Sequence, residues 1–508
     1  MGSNAVSTSA VSRIVGYIIN KGNFATSTPN LPQSIAVLAE ANDANQGTLS
    51  TEGTEILSAQ QAGQLYGYGS PIYSIARILL PLQGGGISGI PITVYAQEAA
   101  VGAAAKIIEV EPTGTATADG THTLVIAGRQ GLDAEFYDIN ISTGDSTAEI
   151  TAKIEDAVNA ILGAPVIASS TDYEATFTTK WKGLTANELT ISVNTYNEDL
   201  GITYSFVTTQ AGSGTPSIAD ALAQFGSTWH TIVINGYSTS TNIMSALEAF
   251  NGIPKQVNPT GRYAGIIMKP FVALTGSVAD NPSSITDTRL NDVTIVICPA
   301  PLSKGFTFEA AANACALCAP QMQDSPELDI AGQSYPDMPS ITQQEWGAAV
   351  MSSYAGRDSI VKKGCSTVDM IGGVYVMQDF VTTYHPVGET PPQFRYVRTL
   401  TIDFNIRFGY YILEQAYVMN HVIAKDTDIV NSGNVVRPKD WKGDLFTYAD
   451  DLTKRGLITD PAFMEASIAV NISTVNPDRF ETEFSYKRSG FARIAATTAT
   501  AGFNFGNN

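Results

Sequence analysis

Two thiols three residues apart, Cys315-Ala-Leu-Cys318, have the spacing of a redox motif or of half a zinc site. A structural zinc needs four ligands, and no second CxxC or HxxxH supplies the rest; the pair sits in the apolar, helix-like run FEAAANACALCAP. With Cys298 and Cys365 these read as buried structural thiols, the alternative being a disulfide within or between subunits. The four histidines, His122, His230, His385 and His421, are scattered. His230, in STWHTIVIN, stands at a strand entrance and reads as a capping or packing residue. Nothing matches GxSxG, HExxH or GxxxxGK[ST]. QGGGISG (83–89) and GSGTPS (212–217) could offer backbone N–H groups to a phosphate, but neither has the strand and downstream acid of a dinucleotide site, so both read as hinges or tight turns. Asp337, between the prolines of SYPDMPSI, reads as part of a rigid turn rather than as a ligand. No catalytic residue, cofactor or metal is expected.

Composition narrows the partners. The chain has 508 residues, formal charge -19 and 15% charged residues, and at roughly 100–200 residues per domain it should hold several domains. That charge argues against direct nucleic-acid binding, which relies on Lys and Arg neutralising phosphates. Sixteen acidic and five basic residues lie between Glu98 and Asp199, whereas thirteen of each lie from Gln393 to Asn508. The first segment is expected to be a solvated, outward-facing module and its dispersed carboxylates no Ca²⁺ loop; the second is expected to be a surface with partners. No run of about 20 apolar residues predicts a membrane span. The N-terminus lacks the basic and apolar regions of a secretory signal, and of a myristoylation pattern only Gly2 fits, Val6 standing where Ser or Thr belongs.

The elements that would position these residues follow from periodicity. Residues 11–19, VSRIVGYII, predict a terminal strand. SIAVLAE, TEILSAQQAGQLYG, YSIARILLPL and PITVYAQ predict strand, helix, helix, strand. From Ala99 to Gln210 short β-type runs dominate, with one helix at 147–162 whose Ile150, Ile154, Val158 and Leu162 recur every four residues. After Gly214 come strands at TIVIN (231–235), RYAGIIM (262–268) and DVTIVIC (292–298), with helices at 217–225, 241–252 and 308–319. Such alternation predicts a mostly parallel sheet into which the β module is inserted. Then follow a helix in AGRDSIVKKGCS, a β pair in GGVYVMQDFVTTY, a long helix in FRYVRTLTIDFNIRFGYYILEQAYVM, and the half-buried strand FETEFSYK. The last residues, from Phe484, read as a strand with no obvious partner, a liability that proteins usually cover.

The order of features in the second half resembles the contractile tail sheath proteins of the phage Mu type. GRDSIVKKGCSTVDMIGGVYVMQDFVTTY (356–384) is similar to the family's charged helix and Gly-Gly strand pair ending in Thr-Thr-Tyr. FRYVRTLTIDFNIRFGYYI (394–412) is similar to the helix that follows, and VNPDRFETEFSYK (475–487) to the near-terminal strand. The resemblance covers roughly residues 210–508 by these features and the first 95 by architecture; the inserted module is the variable part.

The resemblance implies an α/β and α+β multidomain fold. Its parts would be an N-terminal arm (1–25), an α/β middle domain (26–98 and 213–385) interrupted by an acidic β-rich outer domain (99–212), a C-terminal inner α+β domain (386–488) completed by strand exchange between subunits, and a C-terminal arm (489–508). It implies a non-enzymatic homo-oligomer, a helical stack of rings around an inner tail tube protein, meeting a baseplate and a tail terminator, assembled in the host cytoplasm and carried in the virion. The residues it assigns to inter-subunit arms are Val11, Ile14, Val15, Tyr17, Ile19, Phe484, Tyr486, Phe491, Arg493, Ile494, Phe503 and Phe505, with Ser489-Gly490 as a joint and Arg493 as the charge that restrains premature pairing. Arg437, Lys439, Lys442, Lys454 and Arg455 would face the tube. The alternatives are the sheath of a phage-derived bacteriocin or injection system and, from another class, an α/β enzyme with a β-sandwich accessory domain.

Overall fold

A computed structural model describes residues 28–50, 52–87, 89–254, 258–265 and 267–502. The chain divides into two compact units, Asn30–Ile406 with Phe491–Asn508, and Met1–Pro29 with Arg407–Gly490. The strand expected at residues 11–19 lies outside the described residues.

The larger unit is built on a six-stranded sheet in the order Ile295–Pro299, Val272–Ser277, Ile232–Asn235, Ile35–Leu38, Ile92–Val94, Thr54–Ile56. Every pairing is parallel except the last. Parallel strands are covered on both faces, so IAVL and IVIN are apolar-rich and wholly buried. The flanking helices Ala59–Tyr66 and Pro71–Leu79 begin at Ser58 and Ser70, whose hydroxyls accept from the N–H groups of Gln61 and Tyr73. The helix Thr307–Asp324 packs on the strand Val272–Ser277, and Gly276 sets their approach: a Cβ there would stand 1.7 Å from the Thr307 carbonyl oxygen.

Between Ile92–Val94 and Ile232–Asn235 the chain leaves this sheet and forms two larger antiparallel ones, beside the short hairpin Gly131–Leu132 with Glu135–Phe136. The first has the order Thr203–Gln210, Ile107–Thr113, Ala175–Thr179, Val166–Ser170; the second has Ile191–Asn194, Gly120–Ile126, Asp138–Ile141. The helix Thr147–Asn159 opens on a capping box of Ser146 and Glu149 and buries Ile150, Ile154 and Val158. Farther on, Thr367–Ile371 pairs with Val374–Asp379 through Gly372 and Gly373, both at positive φ, as a tight hairpin requires.

Four expectations need correction. Residues 262–268 are not a strand: Gly261–Tyr263 is a 3₁₀ turn and the strand is Val272–Ser277. Arg262 decides this, since its guanidinium donates to the carbonyls of Lys269, Gly226 and Thr228 and pins the segment as a loop. The helical reading of 54–66 is a strand, Thr54–Ile56, then a helix that cannot start before its cap at Ser58. The 147–162 helix stops at Asn159, leaving Leu162 exposed. From Phe484 onward the expected unpartnered strand is paired only at Lys487–Arg488, with Ile458–Thr459, and residues 489–502 are neither helix nor strand; just before it, Phe480–Glu483 pairs with Ala469–Ile472.

In the smaller unit the helix Pro438–Lys454 buries Trp441, Leu445, Tyr448, Ala449 and Leu452 along one face, against the helix Pro461–Ser467 and the strand Ala469–Ile472. The long helix Val397–Tyr417 is the one the sequence predicts, and the boundary between units falls inside it. The whole is the mixed α/β, multidomain architecture read from the sequence.

Candidate functional site: terminal segments and the insertion seam

Reactive side chains do not converge. All four cysteines are free and buried. Burial pushes the Cys365 thiol up to about 12 and drives Cys298 and Cys315 well above the usual thiol range, so near neutral pH they are protonated and poor nucleophiles. Among the described residues no group of three or more His, Cys, Asp or Glu could hold a metal ion. His230 comes nearest to a relay, with Ser34 Oγ 3.0 Å from Nδ1 and Tyr95 OH 2.8 Å from Nε2. Its ring packs against Tyr95 and Phe225, and burial, helped by Arg262, holds its pKa down to about 4. It stitches together the segments that enter Ile35–Leu38 and Ile232–Asn235 and leave Ile92–Val94. His122 meets Tyr204, His385 the Thr383 carbonyl and His421 the Met419 carbonyl.

Charge instead gathers where the insertion meets the α/β layer. Arg129 of the insertion reaches Asp337 at 2.6 Å and Glu309 at 3.2 Å, and Arg77 reaches Asp337 at 2.8 Å and Asp133 of the insertion at 3.7 Å. Burial alone would depress Arg129, but the two carboxylates outweigh it and hold the guanidinium charged. Burial would likewise raise Asp337, yet the arginines keep it below the ordinary carboxylate range. Glu188 of the insertion accepts from the N–H and hydroxyl of Thr307, each at 2.8 Å. Its carboxylate therefore caps the helix Thr307–Asp324 at the end where a helix favours negative charge. Glu40, wholly enclosed, accepts from Thr185 Oγ1 at 2.8 Å, and Thr185 in turn accepts from Trp181 Nε1 at 2.9 Å. Burial raises Glu40 to about 8. Sequence reading missed this seam; Arg129, one of few basic residues in an acidic segment, and Asp337 in its proline-framed turn were the available signals.

The residues assigned to arms and tube are placed as follows. Val11, Ile14, Val15, Tyr17, Ile19, Phe503 and Phe505 lie outside the described residues. Phe484 packs on Tyr410 and Tyr486, and Ser489 N–H donates to the Leu457 carbonyl. Phe491 lies under the Arg398 guanidinium, and Arg493 covers Tyr396 at 3.8 Å and pairs with Asp329. Ile494 is 87% exposed, and residues 495–502 are exposed without helix or strand. The basic residues fall at opposite ends of the helix Pro438–Lys454. At the start, Arg437 pairs with Asp440, Lys439 Nζ donates to the Asp426 carbonyl and Lys442 lies over Phe446. At the end, Lys454 is exposed, while Arg455 pairs with Asp451 and donates to Thr28 Oγ1 at 2.8 Å. Thr28 also donates to Asp451 at 3.0 Å, which ties the end of the N-terminal segment to this helix.

No family model matches the chain, but it is 22% identical over 435 residues, 84% of each chain, to the Mu-like prophage FluMu tail sheath protein of Haemophilus influenzae. That similarity is to a tail sheath protein of the Mu type. Among solved structures it is similar to the sheath tail protein of Desulfitobacterium hafniense (12% identity, TM-score 0.43, 93% of this chain and 100% of that one). It is also similar to a sheath tail protein of Listeria innocua (12%, 0.44, 92% and 94%) and to the contracted helical sheath of the anti-feeding prophage (10%, 0.42, 97% and 100%). The structural likenesses are too loose to carry any argument of their own.

Proposed function

We propose that this chain is the structural subunit of a contractile tail sheath, which polymerises around an inner tube and shortens to drive the tube through the host cell envelope. The observation that carries the reading is the sequence relation to a tail sheath protein across 84% of both chains. The subunit works by assembly rather than catalysis, in the virion, with the inner tube, a baseplate and a tail terminator as partners. Terminal arms at 1–25 and 489–508 join neighbouring copies by adding strands to the inner domain at 386–488. Such β-augmentation in a head-to-tail array satisfies backbone groups across each joint and lets rings turn without separating. The α/β segments 26–98 and 213–385 form the middle domain. The acidic insertion, 99–212, faces outward, where its charge keeps particles apart. The tube is met through Lys439, Lys442 and Lys454, with Arg437 and Arg455 held by neighbouring carboxylates. Negative-stain microscopy of the purified full-length protein should show long tubes or stacked rings, and removal of residues 489–508 should leave soluble monomers. A full-length protein that stays monodisperse and monomeric at high concentration would overturn the reading.

A further inference from the structure

The side chain of Asp329 is 1% exposed. A carboxylate so enclosed needs an opposite charge and hydrogen bonds. It accepts from the Ala331 N–H at 3.1 Å and pairs with Arg493, which comes from the far end of the chain. Arg493 is itself mostly enclosed. Its guanidinium lies 3.8 Å from the centre of the Tyr396 ring and 5.1 Å from that of Phe491, and Phe491 is also met by Arg398 at 5.4 Å. Arg398 also donates to the Glu327 carbonyl and faces the carboxylates of Asp329 and Glu327. Two guanidiniums and two rings are thus stacked over one buried carboxylate, and without it the cations would repel. One residue later the chain emerges, with Ile494 87% exposed.

We propose that Arg493, held by Asp329 and Tyr396, is the anchor of the C-terminal arm, so that the chain through Arg493 stays with its own subunit and only the segment from Ile494 onward passes to a second copy of this chain. The proposal rests on the arm-exchange reading above and revises it at two residues: Phe491 and Arg493 position the arm and do not travel with it. Ser489-Gly490 then lies on the fixed side and cannot be the joint about which the arm moves.

The test uses full-length subunits, diluted below assembly, and limited chymotrypsin cleavage after Phe491. Asp329→Asn should speed that cleavage roughly tenfold or more, the loss expected for a buried charge-assisted bond, and leave cleavage elsewhere unchanged. Arg493→Gln should do the same. Arg493→Lys, which keeps charge but not the planar stack, should fall between. Unchanged cleavage in Asp329→Asn, or equal acceleration at every site, overturns the anchor. In assembly, deletion of 494–508 should abolish polymers as fully as deletion of 489–508; polymers surviving the shorter deletion but not the longer would also overturn it. If the wild-type chain never polymerises, the sheath reading fails, and the protease result still decides the anchor.

Discussion

At the scale of single residues, the fold tolerates side chains only where backbones keep their distance. Gly276 marks the tightest approach between sheet and helix, its missing Cβ leaving room for the Thr307 carbonyl. That contact is with backbone, which cannot rotate away. Gly276→Ala should therefore cost about 2–3 kcal/mol, the range for overpacking a dense core, read as a lowered urea midpoint with unchanged slope. His230 makes a second residue-scale case. Its pKa falls from 6.5 unfolded to about 4 folded, so the unfolded chain binds the proton more readily, and the stability it contributes is present above pH 6.5 and lost as pH falls toward 4. His230→Gln keeps polar atoms for Ser34 and Tyr95 but cannot titrate in this range. Its unfolding free energy should converge on that of wild type between pH 7 and 4, whereas a constant difference would show that the ring does not titrate on unfolding.

At the scale of elements, the smaller unit hangs on one face of one helix. Trp441 is wholly buried in Pro438–Lys454, donates to Thr482 Oγ1 at 3.1 Å and meets Tyr410 edge-on. Truncation to Ala should cost about 3–5 kcal/mol and raise hydrogen exchange first in Ala469–Ile472 and Phe480–Glu483, leaving the six-stranded sheet protected. The helix Pro438–Lys454 is not among the elements expected from the sequence, whereas the unbroken runs IAVL and IVIN and the Gly372-Gly373 turn each state their structure locally. What stays hidden depends on partners far along the chain. RYAGIIM has the composition of a strand but is overruled by three carbonyls that converge on Arg262. The strand itself is VALTGS, whose Gly276 leaves room for a helix to come close. The seam is hidden for the same reason: Arg129 and Asp337, or Glu188 and Thr307, are ordinary residues until the fold brings them together. Arg493 shows the same limit, for Tyr396 and Asp329, which meet it in the fold, lie far from it along the chain and carry no local signal.

At the scale of the whole molecule, the insertion meets the α/β layer through enclosed ionisable groups that make their union respond to pH. Glu40 and Glu309 are buried there and Glu188 is half-buried, facing the mostly enclosed guanidiniums of Arg129 and Arg77. Glu40 has an oxygen with no partner, as does the Tyr237 hydroxyl nearby, and Gly183 approaches so closely that a Cβ would stand 2.8 Å from the carboxylate. Enclosure with Glu188 alongside raises Glu40 from 4.5 to about 8. The folded chain then holds a proton that the unfolded chain has lost, so its contribution is fully present below pH 4.5 and is lost as pH rises through 8. Lys180 acts in the next window. It donates to the carbonyls of Tyr68 in the layer and Leu162 in the insertion, and burial lowers it from 10.5 to about 8. Between those values the unfolded chain binds more protons and stability returns. The decisive measurement compares Glu40→Gln with wild type by urea unfolding from pH 5 to 10, a difference in which His230 and Lys180 cancel. The two should be nearly equal at pH 5, since the substituted amide mimics the protonated acid and its carbonyl oxygen can still accept from Thr185. The variant should then gain on the wild type through pH 8 by on the order of 4 kcal/mol and hold that advantage above it. A flat difference would mean that Glu40 enters the folded seam already ionised.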